Sequence, residues 1–185
     1  KLDKGFISLD NSENKRPDWY EFWPIYNFLK KNRLIKNKWY GFFSTSFYEK
    51  TKIKSEVLKD FLKKNESFDV ALFSHGLDQI GYFKNPFFQA NITDPEILYL
   101  SQKVLKSIDI NLNLTTLVSH SLSTVYSNYL VAKPAYWEKW LYIAEKFFQI
   151  AESKNNNLAK LLNIYSNNYG SKTKKVQLKV FIQER

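Results

Sequence analysis

Val125-Tyr126-Ser127-Asn128-Tyr129-Leu130-Val131-Ala132-Lys133-Pro134-Ala135-Tyr136-Trp137 is the stretch on which the fold reading turns. Its first part, Val125 to Ala132, is an apolar run of β type. Pro134 suits the first position of a helix, where its missing N–H is no loss. From Ala135 to Glu152, Trp137, Leu141, Ala144, Phe148 and Ala151 then recur at helical intervals. A strand that feeds a long amphipathic helix is a building block of α/β proteins.

The alternation continues on both sides. Upstream, Gly5 to Leu9 reads as a strand closed by Asp10-Asn11-Ser12, and Pro24 opens a helix carrying Ile25, Phe28 and Leu29. Trp39 to Phe43 reads as a buried strand that runs into Ser44-Thr45-Ser46. Ser55 is a good N-cap for a helix with Val57, Leu58, Phe61 and Leu62 inside and Lys59, Lys63 and Lys64 outside. Asp69 to Phe73 is a further strand, leading to Ser74-His75-Gly76. Thr93 or Asp94 can cap a helix with Pro95 first and Ile97, Leu98, Leu100, Val104 and Leu105 on its apolar face. Leu117-Val118 is a short β-type run. Downstream, Leu158 to Ile164 reads as a helix and Asn167 to Lys175 as a polar, basic loop. Val176 to Ile182 fits a strand or the start of a helix. Strands alternating with helices predict an α/β fold with a mostly parallel sheet flanked by helices, in one domain spanning 1–185.

Composition limits what such a domain can do. The 185 residues are 44% hydrophobic and 17% aromatic, enough for a sizeable core and unlike a disordered chain. With no Cys and two His, disulfides, thiolate metal sites and His-rich metal sites are excluded. No apolar run approaches the ~20 residues of a membrane-spanning helix. The chain starts at Lys1 and contains no Met, which reads as a segment of a longer protein. A net charge of +10 suits nucleotide phosphates, nucleic acid or an anionic membrane face. Nucleic acid is not expected, because no RNP sequence, helix-turn-helix pattern or zinc finger is present. The five Gly form neither a Walker loop nor a dinucleotide fingerprint, and Asp-x-Asp is missing.

In parallel sheets ligands gather at the carboxyl ends of strands. Asp10 and Asn11 there can meet a ribose, a base or a sugar hydroxyl, or simply form an Asx-turn. Arg16, Asp18 and Glu21 stand among aromatics; they can hold a phosphate, or Arg16 can pair with Asp18 on an ordered loop. Ser44 and Lys50 follow a strand, and Lys50 can neutralise a leaving diphosphate or be a solvated lysine. His75 and Asp78 share a strand-end loop and suit deprotonation of a hydroxyl, or make a hydrogen-bonded turn. His120, between serines, reads as a structural hydrogen-bonding residue.

Leu9-Asp10-Asn11-Ser12-Glu13-Asn14-Lys15-Arg16-Pro17-Asp18-Trp19-Tyr20-Glu21-Phe22-Trp23-Pro24-Ile25 is one of several stretches that go together. The others are Tyr40-Gly41-Phe42-Phe43-Ser44 continuing through Phe47 to Lys50-Thr51, Asp69-Val70-Ala71-Leu72-Phe73-Ser74 with Asp78-Gln79, Ser127 to Pro134 with Trp137, and Lys179-Val180-Phe181-Ile182-Gln183-Glu184-Arg185. Over nearly the whole chain they resemble a bacterial family found among the glycosyltransferases of surface-polysaccharide synthesis. The closing stretch resembles that family's Glu-Arg motif. The resemblance implies a compact, Rossmann-type GT-A-like fold and a relation to O-antigen and capsule transferases, including galactosyltransferase modules inside larger polymerases. It also implies that the strand at Asn128 to Lys133 and the following helix wall the acceptor side. The missing Asp-x-Asp departs from the wider class.

The expected function is transfer of a sugar, galactose being a candidate, from a nucleotide sugar to a growing lipopolysaccharide or capsule glycan. A uridine diphosphate sugar is the expected donor, held by Asp10, Asn11, Arg16, Ser44 and Lys50. Asp78 or His75 is the expected base, and Asp78 is the candidate ligand should a divalent metal take part. Asn128, Lys133, Glu184 and Arg185 are assigned to the acceptor side. The acceptor is a lipid-linked or surface glycan, met in the cytoplasm or at the anionic face of the inner membrane. The alternative is a non-catalytic glycan- or nucleotide-binding module of a larger synthase.

Overall fold

The computed structural model describes residues 3–74, 76–171 and 174–185. In chain order its elements are a 3₁₀ turn (Pro17–Trp19), α1 (Phe22–Lys31), β1 (Tyr40–Gly41), α2 (Phe47–Thr51), α3 (Ser55–Lys64), β2 (Val70–Leu72), a second 3₁₀ turn (Leu77–Gly81), α4 (Pro86–Thr93), α5 (Ile97–Ser107), β3 (Leu130–Ala132), α6 (Pro134–Ala151), α7 (Asn157–Leu162), β4 (Tyr165–Ser171), β5 (Lys174–Gln177) and α8 (Leu178–Gln183). They cluster into two compact units. The first comprises Lys1–His75 and Val125–Leu141, the second Gly76–Thr124 and Tyr142–Arg185. The division falls within α6.

The first unit is built on a three-stranded sheet in the order β1-β3-β2. β3 is antiparallel to both neighbours: Tyr40 and Val70 face Ala132, Gly41 and Ala71 face Val131, and Leu72 faces Leu130. The chain is helix-rich with small antiparallel sheets, so the expected mostly parallel, GT-A-like Rossmann-type sheet is not formed. The physical reason lies in β3. The helices α2 and α3 do return the chain so that β1 and β2 run in the same direction. They leave a lane between the two strands, however, and β3 enters it from the opposite end. Alternation of element types does not encode that choice.

Several apolar runs also fall short of strands. Ile7 of the Gly5–Leu9 run is 97% exposed, and Phe6 turns its ring onto Phe43 and Phe47. Leu117 sits in a turn, its N–H donating to the Asn113 carbonyl, and Val118 is exposed. The Val125–Ala132 run is broken by Ser127 and Asn128, both left-handed, so the strand starts at Leu130.

The pleat of β3 sorts the core of this unit into two faces. Leu130 and Ala132 pack with Ile25 and Leu29 of α1 and Trp137 of α6. Val131 packs with Ala71, Phe47 of α2, and Leu58 and Leu62 of α3. Each large side chain so buried contributes about 1.5–3 kcal/mol. Trp137 also ties elements together, its indole N–H donating to the carbonyls of Tyr40 (3.0 Å) and Ala132 (3.2 Å). Ser55 does not cap α3 as expected. Lys54 occupies the cap, and Ser55 is held by Asp3, which accepts from its N–H at 2.8 Å and its hydroxyl at 2.6 Å.

In the second unit α5 buries Ile97, Leu100 and Val104, α7 buries Ala159 and Leu162, and α8 buries Leu178, Val180, Phe181 and Ile182. α4 was not legible in the sequence. It starts at Asn85, whose side-chain oxygen accepts from the N–H groups of Phe87 and Phe88, an N-cap in the usual sense. The Asn85 amide donates in turn to the carbonyls of Leu114 and Leu117. Glu96, not Thr93 or Asp94, stands at the N-cap position of the next helix, and its side chain makes no capping bond; the Asp94 carboxylate accepts from the buried Ser166 hydroxyl. Of the Asn167–Lys175 stretch expected as a loop, residues 167–171 lie in β4 and residues 174–175 in β5, which pair antiparallel. Val176–Ile182 combines both expectations, ending a strand and then entering α8. Lys179 is buried and paired with Glu152 at 3.2 Å. Among the described residues no helix is long and apolar enough to cross a membrane.

Candidate functional site

The first unit gathers polar groups where β1 leaves the sheet and β3 enters it. After β1 the chain turns at Ser44, whose carbonyl accepts from the Phe47 N–H at 3.0 Å. Buried Phe47 anchors α2, which stops after one turn at Lys52, a left-handed residue. Opposite, Ser127 (φ 60°) and Asn128 (φ 55°) are consecutive left-handed residues that turn the chain into β3. They bring Tyr129 to a fully buried position with its hydroxyl 2.8 Å from the Ser44 hydroxyl. Lys50 reaches over from α2, donating to the Ser127 hydroxyl at 3.3 Å with its ammonium 5.7 Å from the Tyr129 ring centroid.

Glu21 completes the group. It follows Tyr20, held at φ 46° and ψ −126°, and precedes α1. Its side chain keeps access to solvent, yet surrounding protein displaces enough water to push the carboxyl above its usual range, while the Lys50 charge draws it back. Burial likewise raises the Tyr129 phenol; Ser44 acts in the other direction, and Glu21 and Glu49 add to the rise. Tyr20, Lys52, Ser127 and Asn128 all have positive φ without being glycine and all flank this group. Such strain persists only where surrounding structure fixes it, and it clusters at functional sites. The arrangement joins Lys50 to Ser127 and the Tyr129 ring, joins Ser44 to the buried Tyr129 hydroxyl, and leaves the exposed Glu21 within the electrostatic reach of Lys50.

The other expected site residues have different surroundings. Asp10 and Asn11 are exposed; the Asp10 carboxylate accepts from the Ser12 N–H at 2.9 Å, an Asx-turn, and that bond with the Ser12 hydroxyl lowers its pKa. Arg16 forms a two-point pair with Asp18 at 3.0 and 2.8 Å. Lys133 lies beyond the other end of β3 from Ser127. There it donates to the Glu66 carbonyl at 2.8 Å, pairs with Asp69 at 3.2 Å and covers the Trp39 ring. It also lines a cleft of about 540 Å³ together with Arg33, Lys36 and Glu138. Asp78, Glu184 and Arg185 belong to the second unit. Asp78 is exposed and accepts from the Gln79 amide at 3.2 Å. Arg185 donates to the carbonyls of Pro86 and Phe181 and to the Gln89 side chain, with Glu184 3.8 Å away. His75 lies outside the described residues. His120 accepts from the Leu122 N–H, the structural role expected of it. Among the described residues no group of three or more Asp, Glu or His is placed to hold a metal.

No family model, curated protein or solved structure matches the chain. The site therefore rests on its own geometry. Of the expected residues it unites Ser44 and Lys50 and places Asn128 in the adjoining turn. The sequence pattern gives Tyr129 and Ser127 no chemical role and places Glu21 with Arg16 and Asp18. The available signal was Ser-Asn ahead of an apolar strand, because Asn is among the few residues that adopt the left-handed region readily.

Proposed function

We propose that the chain transfers a sugar from a nucleotide-activated donor, a uridine diphosphate sugar, to a hydroxyl of a bacterial surface glycan. The observation that carries this reading is Lys50, held by the Ser127 hydroxyl and over the Tyr129 ring next to the Ser44–Tyr129 hydroxyl pair, with its charge acting on Glu21. A diphosphate leaving group needs positive charge to receive it, and Lys50 supplies that charge. An acceptor hydroxyl must lose its proton as it attacks, and a carboxylate of raised pKa suits that task. In the reaction the acceptor oxygen bonds to the anomeric carbon while the bond from that carbon to the phosphate oxygen breaks. The electron pair leaves on the diphosphate and the proton passes to Glu21. The resemblance of the stretches around Glu21, Lys50 and Asn128 to surface-polysaccharide glycosyltransferases supports sugar transfer as the reaction class. Galactose remains the candidate sugar, and the +10 charge suits work in the cytoplasm at the anionic face of the inner membrane.

Calorimetry with uridine diphosphate and a transfer assay with nucleotide sugars test the reading. The expected results are binding that weakens with salt, loss of binding in Lys50→Ala, and a ~10²–10⁴-fold loss of transfer in Glu21→Gln. In Lys50→Ala the Glu21 carboxyl should titrate still higher by carbon-13 NMR, since the one charge that lowers it is gone. Transfer within a few fold of wild type in both variants removes these residues from the reaction. Nucleotide binding without any turnover assigns the chain to the binding-module alternative, and no nucleotide binding at all overturns the transfer reading and leaves only the glycan-binding form of that alternative.

A further inference from the structure

On the α3 face of the sheet in the first unit, a cleft of about 400 Å³ opens between α3, β1 and the segment around Gly5. That volume lies within the range of small-molecule sites, roughly 300–1,000 Å³. Its walls are apolar, made of Phe6, Trp39, Phe43, Leu58, Leu62 and Val131. Its rim carries Lys59 and Lys63, one helical turn apart, and Glu66. Neither lysine has a hydrogen-bond or ion-pair partner among the described residues. Lys59 hangs over the opening: a Cβ added at Gly5 would lie 3.3 Å from its ammonium nitrogen. The nearby Asp3 carboxylate is already engaged by the Ser55 N–H and hydroxyl and by the Gly5 N–H. Among the described residues the rim therefore presents two ammonium groups without partners and the Glu66 carboxylate, with the Asp3 carboxylate turned to Ser55 and Gly5, above an interior of rings and aliphatic carbons.

We propose that this cleft binds an aliphatic anion, with the alkyl chain among Phe6, Trp39, Phe43 and Leu62 and a terminal phosphate or carboxylate held by Lys59 and Lys63. Charge complementarity at the rim selects the head, and the lining selects the tail. The inference does not rest on the sugar-transfer reading, since it uses neither Lys50 nor Glu21.

Decyl phosphate, decanoate, neutral decyl glucoside and inorganic phosphate, each titrated into the full chain below any micelle threshold, test it. Decyl phosphate or decanoate should bind and change tryptophan fluorescence, the tighter of the two naming the head group, while inorganic phosphate at equal concentration should give no signal. Lys59→Glu with Lys63→Glu, both at exposed positions, should weaken the anionic ligand by about tenfold or more and leave decyl glucoside within about twofold. In Trp39→Phe the fluorescence change should vanish while calorimetric binding persists. Inorganic phosphate binding as tightly as the alkyl anions, indifference to the double charge reversal, or an unchanged fluorescence response in Trp39→Phe would each overturn the proposal.

Discussion

Asp3 shows how one side chain fixes an element far along the chain. Its carboxylate accepts from the Ser55 hydroxyl, the Ser55 N–H and the Gly5 N–H, so it holds the first turn of α3 and the start of the chain together. These bonds, the Ser55 hydroxyl first, lower its pKa to about 2, with Lys54 adding. A carboxyl depressed in the folded state stabilises the fold above its unfolded pKa, near ~3.9, and the contribution is lost as pH falls through about 2. Urea unfolding followed across this range should therefore show a loss of stability for the wild type. Asp3→Asn should be less stable at neutral pH and should lack that part of the acid limb. An identical acid limb in the variant would show that these bonds do not set it. Glu21 has the opposite sign. Its pKa is raised, so protonating it favours the fold, and acidification pulls the two carboxyls in contrary directions.

Among elements, β3 and the start of α6 hold the first unit together, and Trp137 is where they meet. It is buried, sits 5.0 Å from the Phe42 ring centroid, and bonds to carbonyls of β1 and β3 at once. Trp137→Ala should cost about 3–5 kcal/mol in denaturant unfolding, far beyond the effect of changing an exposed residue of the same helix such as Tyr142. This helix was legible because a 3.6-residue period needs only local sequence, and the same holds for α1, α3 and α7. The sheet was not, since β1, β2 and β3 span two or three residues each, too short for a period of two to register. Strand direction was hidden as well, being set by the excursion between β2 and β3. In the site, Ser44 and Lys50 could be read because they follow a strand. Tyr129 reads as a core residue, and its hydroxyl meets Ser44 only through the left-handed turn at Ser127 and Asn128.

At the scale of the whole molecule, the first unit is discontinuous in sequence. Its sheet needs β1 and β2 from before residue 76 and β3 from after residue 124, and β3 supplies every ladder partner of the other two. A fragment of residues 1–124 should therefore show no cooperative unfolding of the first unit and collapsed amide dispersion by NMR, whereas the full chain unfolds cooperatively. A folded sheet in that fragment would mean that β1 and β2 pair without β3. The same wiring has a consequence for synthesis on the ribosome. At roughly 5–20 residues per second, β1 and β2 leave the exit tunnel seconds before β3 does. During that interval both strands carry backbone groups facing an empty lane, and the nascent chain is open to pairing with a neighbour on the same message. Slow translation between β2 and β3 would prolong the exposure, so codon speed in that stretch bears on the yield of native protein although the finished sequence is unchanged.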